Sequence, residues 1–192
     1  MNIINYIQNS IYTKTKILND EKFINNIQVI ANVIVDAYSK GKKVLTAGNG
    51  GSAGDAQHIA GELVSKFFFD RPGLSAFALS TVTSILTAIG NDYGYELSFA
   101  RQVQANANKG DVFIGISTSG NSKNIVKAIE EAKKKGVITV GLVGEKPCEM
   151  DKICDYILKV PSTSTPTIQE SHIMIGHIIC AIVEEKIFKG AN

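Results

Sequence analysis

The chain has 192 residues, 44% of them hydrophobic and 20% charged, which suits one folded domain over 1–192 and excludes a disordered tail or a fibre. Twenty Lys and Arg against eighteen Asp and Glu leave a formal charge of +2, too balanced for the positive field that nucleic acid or an anionic membrane requires. Recognition has to come from a local site.

Cys148, Cys154 and Cys180 form an odd set without CxxC spacing, and residues 1–10 lack a basic segment followed by an unbroken apolar run. Both features lead us to expect a reduced, cytoplasmic protein. The longest uncharged stretch, Pro72 to Asn91, is diluted by Ser75, Ser80, Thr81, Thr83, Ser84 and Thr87, so it is not read as a membrane segment.

Ile4, Ile7, Ile11 and Leu18 predict a first helix. Phe23, Ile24, Ile27, Ile30, Ala31, Ile34 and Tyr38 recur every three or four positions and predict a second over about 20–40, closed by Gly41. From Val44 short β-rich runs alternate with small-residue loops and helical patterns: Val44–Ala47, Leu74–Leu79, Val112–Ser117, Ile138–Val143 and Tyr156–Val160. That alternation predicts an α/β fold, a parallel sheet with crossover helices over 44–160. Lys133 to Lys135 before Gly136 read as the last turn of a helix, where cations complement the dipole and Gly caps. The final helix, over 168–188, is apolar on most faces, with Ile173, Met174, Ile175, Ile178, Ile179, Cys180, Ile182 and Val183. One sheet surface cannot cover such a helix, which predicts association through the terminal helices.

Ligands of open parallel sheets bind beyond the carboxyl ends of the strands, where three loops are unusual. Gly48-Asn49-Gly50-Gly51-Ser52-Ala53-Gly54 follows the first strand and enters a helix over 53–66. It satisfies GxGxxA on its face, but the second strand ends Phe77-Ala78-Leu79-Ser80 without the acid a dinucleotide site wants, and Asp70 precedes that strand. The run also suits a tight turn that merely needs glycine's positive φ, though Asn49 and Ser52 beside it favour ligand contact. Ser80-Thr81-Val82-Thr83-Ser84 could simply cap a helix. Ser117-Thr118-Ser119-Gly120-Asn121-Ser122 opens just before the helix over 123–135, and amides at a helix start plus several hydroxyls make an anion cradle suited to phosphate. No Walker lysine follows either glycine loop, so the expected ligand is a phosphorylated small molecule.

His58 and Glu62 lie four apart on the helix leaving the first loop, about 40° apart around its axis. They suit a shared metal or proton path, or a plain solvated pair. His172 and His177 differ by about 140° on the last helix, so at most one serves a given site, and spacing does not choose. Gln169 reads as a polar residue at that helix's entry.

Together, Asn49-Gly50-Gly51-Ser52, His58-x-x-x-Glu62, Asn91-Asp92, Ser117-Thr118-Ser119-Gly120-Asn121-Ser122 and Gln169-Glu170 followed by His177 resemble the phosphoheptose isomerases of the sugar isomerase (SIS) superfamily over essentially the whole chain. The resemblance implies a flavodoxin-like SIS domain with extra N-terminal helices and a long C-terminal helix. It implies a cytoplasmic homotetramer with active sites at subunit interfaces, and one zinc per subunit on His58, Glu62, Gln169 and His177. It implies substrate contacts at Asn49, Gly50, Gly51, Ser52, Glu62, Asn91, Asp92, Ser117, Thr118, Ser119, Ser122 and Gln169, with Glu62 and His177 catalytic. The activity implied is aldose–ketose isomerisation of sedoheptulose 7-phosphate, the first step toward activated heptose for lipopolysaccharide or capsule. In a straight helix Gln169 and His177 stand about 12 Å apart, so the helix starts after Gln169, both side chains stretch, or different subunits supply them. A protein adaptor of the same fold is the rival; it has no chemical need for the four metal ligands together.

Overall fold

The computed structural model describes residues 2–189. Two helices open it: α1 over Ile3–Leu18 and α2 over Glu21–Ser39. Each starts where a short side chain accepts from a free amide. Asn2 Oδ1 takes Ile4 N at 2.9 Å and Asp20 Oδ1 takes Phe23 N at 3.0 Å, the local bond that defines an N-cap. The α2 stripe of Phe23, Ile27, Ile30, Ala31 and Ile34 is buried. In α1 only Thr13 and Ile17 are buried, and Ile3, Ile4, Ile7, Ile11 and Leu18 are exposed.

Five strands, β1 Val44–Gly48, β2 Ala76–Ala78, β3 Val112–Ile116, β4 Ile138–Gly144 and β5 Tyr156–Val160, form one parallel sheet in the order β2-β1-β3-β4-β5. Val44 aligns with both Ala76 and Val112, and Val112 with Ile138. Alternate residues serve opposite faces. Val44, Val112, Ile114 and Val140 join a core with α2, α3 (Gly51–Val64) and α8 (Thr165–Phe188). Leu45, Ala47 and Phe113 face the other way, onto α5 (Ala100–Asn106) and α6 (Lys123–Lys134). Burial on both faces explains why these strands read as unbroken apolar runs. The remaining helices are α4 (Thr83–Tyr93) and the short α7 (Met150–Ile153). Among the described residues no helix is long and apolar enough to cross a membrane.

The chain leaves β1 toward β2 on one side and reaches β3 on the other, so the loops after β1 and β3 flank the switch point where such sheets bind ligands. Three expectations need correction. The second strand is three residues, not Leu74–Leu79: Leu74 N donates to Leu63 O, which draws that residue off the sheet toward α3. Helix α4 has no side-chain cap, since Val82 holds its N-cap position and Thr81 Oγ1 donates back to Ala78 O. And α8 begins at Thr165, with Pro166 in its first turn, a position where the missing N–H costs nothing. Gln169 is therefore inside the helix rather than at its entry.

Candidate active site and metal centre

Helices α3 and α8 pack side by side and bring together residues far apart in sequence. His58 Nε2 lies 3.0 Å from Glu62 Oε1, and His177 Nε2 lies 3.3 Å from His58 Nε2. The ligand atoms of His58, Glu62 and His177 all fall within 4.8 Å of one another. Two imidazoles and a carboxylate are a zinc-type donor set. Ligands about 2.0–2.1 Å from a tetrahedral ion stand ~3.4 Å from each other, close to the spacing of the two histidines. The residues present thus fit a metal ion.

The structure separates the two histidines of α8. His172 is fully buried and faces Val143 O at 3.2 Å, with Nδ1 lacking a partner. Burial lowers its pKa to about 4, against a smaller opposite pull from that carbonyl. His172 is a neutral core residue, and His177 is the one at the site.

The loop after β1 turns at Gly50, whose φ of +56° is a left-handed conformation that suits glycine. At Gly51 the limit is steric: a Cβ there would sit 2.7 Å from Gln169 Nε2. Gln169 Nε2 donates to Ser52 Oγ at 3.4 Å, so α8 meets the glycine loop through this carboxamide. Asn49 exchanges paired amide bonds of 2.9 Å with Asn124 at the start of α6. Asn124 also donates to Ser98 Oγ at 3.3 Å, and Tyr95 OH donates to Asn49 Oδ1 at 3.0 Å. This network ties the first loop to the third.

In that third loop Ser117 Oγ lies 2.8 Å from Ser122 Oγ and 3.5 Å from Ser119 Oγ. Ser122 sits at the N-cap of α6 without capping it; its hydroxyl turns to its neighbours instead. Three hydroxyls thus converge beside the free amides of a helix start, an arrangement suited to a phosphate group. Thr118, Ser119 and Asn121 also line a polar cavity of about 260 Å³ with Lys146, Ser162 and Thr163.

The chain and its fold are similar to known proteins. A model of the SIS domain family matches residues 5–144. The phosphoheptose isomerase of Aneurinibacillus thermoaerophilus is 62% identical over 97% of this chain and 94% of its own length. Phosphoheptose isomerase 2 of Campylobacter jejuni is also 62% identical, over 97% of this chain and 95% of its own. The chain belongs to the phosphoheptose isomerase family. A solved phosphoheptose isomerase from Francisella tularensis superposes with a TM-score of 0.92 at 36% identity, covering 96% of this chain and 97% of that one. The flavodoxin-like SIS fold follows.

Of the residues that the resemblance to phosphoheptose isomerases singled out, Asn91 and Asp92 share no hydrogen bond with the others among the described residues. They occupy the last turn of α4, exposed, with Asn91 Nδ2 donating to Asp92 Oδ1 at 2.8 Å. Asn124, Ser98 and Tyr95 carry no chemical signature in sequence, and their link to Asn49 emerges from the fold alone. Asp55 did leave a signal: it shares the α3 face of His58 and Glu62, three and seven residues ahead of them. Its Oδ2 is buried without a partner. Burial pushes its pKa up to about 6, partly offset by His58.

Proposed function

We propose that this member of the phosphoheptose isomerase family converts sedoheptulose 7-phosphate to D-glycero-D-manno-heptose 7-phosphate through an enediol(ate). One observation carries the reading: His58, Glu62 and His177 converge on one point, on the two helices that meet at the glycine loop. His58, Glu62, Gln169 and His177 are assigned one zinc ion per subunit. Because α8 is continuous from Thr165, Gln169 joins His177 either through stretched side chains or across a subunit boundary.

The hydroxyls of Ser117, Thr118, Ser119 and Ser122 grip the phosphate, and Asn49, Gly50, Gly51 and Ser52 line the path toward α3. Asn91 and Asp92 are assigned to the substrate's hydroxyls. Fixing the remote phosphate converts binding energy into position at the reacting carbons. Glu62 then removes a proton from C1 while His177 donates one to the C2 oxygen. Returning the first proton to C2, with loss of the C1 hydroxyl proton to His177, gives the aldehyde. Glu62 Oε1 meets His58, so Oε2 is the oxygen assigned to proton transfer. The chemistry that a bound zinc supplies is Lewis-acid stabilisation of the oxygens that become negative.

A homotetramer built on the terminal helices fits the exposed face of α1 and an apolar groove of about 450 Å³ lined by Ile17, Leu18, Ile24, Met174, Ile178 and Ile182. A cytoplasmic setting agrees with three free cysteines. Incubation of the purified chain with sedoheptulose 7-phosphate, followed by NMR identification of the product, tests the reading. The aldose is expected; unchanged ketose would refute it.

A further inference from the structure

Behind the metal triad lies an ion pair that the mechanism does not use. Arg71 Nε donates to Glu184 Oε2 at 3.0 Å, and the two side chains are only 2% and 1% exposed. Glu184 is saturated: it also accepts from the amides of Phe67 at 2.6 Å, Phe68 at 2.7 Å and Phe69 at 3.3 Å. Arg71 spends its other donors on the end of α3. Its Nη2 bonds Glu62 O at 2.8 Å and its Nη1 bonds Leu63 O at 2.7 Å, carbonyls in the last turn of the helix, where no further turn supplies amides; Leu63 O also accepts from Leu74 N. Glu184 follows His177 by two turns on one face of α8. Phe67, whose amide Glu184 holds, places its ring 5.6 Å from the His177 ring.

Closer to the site the backbone of α8 at Gly176 packs directly on the Ile59 side chain of α3: a Cβ on Gly176 would lie 2.7 Å from Ile59 Cδ1. That contact is a pivot between the residues beside His177 and His58. A second fixed point farther along decides the angle at which the helices cross. The pair is not bare: through it the end of α3 and the segment 67–69 are fastened to α8, whereas a buried ion pair alone is a poor route to stability.

We propose that Arg71 and Glu184 are positioning residues that set the spacing between the α3 ligands, His58 and Glu62, and the α8 ligand, His177. The inference rests on the metal reading above. Zinc affinity by chelator competition, kcat, KM and apo-protein melting are to be measured for the full chain and for Arg71→Lys, Glu184→Gln and the double variant Arg71→Met/Glu184→Met. Arg71→Lys keeps the charge but loses the fork onto Glu62 O and Leu63 O. We expect each single variant to lose at least tenfold in zinc affinity and in kcat, with KM within about threefold because the phosphate cradle lies on other elements. The double variant removes the ion pair but also strands the amides held by Glu184 and takes Arg71 from the carbonyls of Glu62 and Leu63, so it should melt below the wild type and stay defective in zinc affinity and kcat. Folded variants with wild-type zinc affinity and kcat would overturn the proposal, as would a double variant that regains both. Failure of all three to fold would assign the pair to folding and equally overturn it. If the unaltered chain holds no zinc, the metal reading fails separately, and kcat against KM alone decides on the clamp.

Discussion

His58 and His177 stand 119 residues apart in the chain, yet their Nε2 atoms lie 3.3 Å apart and their rings meet edge to face at 4.8 Å. Two ring nitrogens turned toward each other on adjoining helices, with Glu62 Oε1 beside them, form a focus for a cation or a proton rather than a packing contact. This relationship brings the helix that leaves the glycine loop and the last helix together at one site.

If Glu62 and His177 move the protons, then Glu62→Gln and His177→Ala should each lower turnover at least 10²-fold, the usual scale for a lost general base or acid. Steady-state rates with sedoheptulose 7-phosphate check this. A wild-type rate from either variant would contradict the assignment.

Ser119 is assigned to the phosphate, remote from the reacting carbons. Ser119→Ala should mainly raise KM, because the same interaction is lost from ground state and transition state alike. A drop in kcat at constant KM would move this serine into the chemistry.

Gly51 leaves room for Gln169. In Gly51→Ala the new methyl meets the movable end of that side chain, so the fold should survive, with stability changed by less than about 1 kcal/mol, since Ala suits a helix better than Gly. Displacement of Gln169 should nevertheless cut kcat/KM at least tenfold. Parallel melting and rate measurements separate the two effects.

His172 gives a pH signature. Its folded pKa is lowered to about 4 from 6.5, so between those values the unfolded chain takes up a proton that the folded chain refuses. Stability therefore falls as pH drops from 6.5 toward 4, by about 3 kcal/mol from this residue. Asp55, raised to about 6 from 3.8, works in the opposite direction over much of the same window. Urea unfolding of wild type and His172→Gln at pH 7 and pH 4.5 isolates the histidine, and the variant should lose less stability on acidification. Equal losses would show that His172 does not titrate as its burial implies.

The strands were readable because two-sided burial leaves unbroken apolar runs such as Val112–Ile116, and α2 because its stripe repeats at helical spacing. The edge strand β2 was overextended, since Leu74 looks the same in sequence whether its amide faces β1 or α3. Tyr95–Leu97 and α5 went unread: short helices give periodicity too few turns to register. At the site, four-residue spacing paired His58 with Glu62, but nothing local chose His177 over His172. Resemblance made that choice, and burial in the fold supplies its physical reason. The pairing of Arg71 with Glu184 depends on how α3 crosses α8, which no local pattern encodes.

Zinc content, measured by elemental mass spectrometry on the purified chain and on His58→Ala and His177→Ala, tests the central claim most directly. One zinc per chain in the wild type, lost from both variants together with isomerase activity, is the predicted result. Equal zinc in all three proteins, or full turnover after exhaustive chelation, would contradict it.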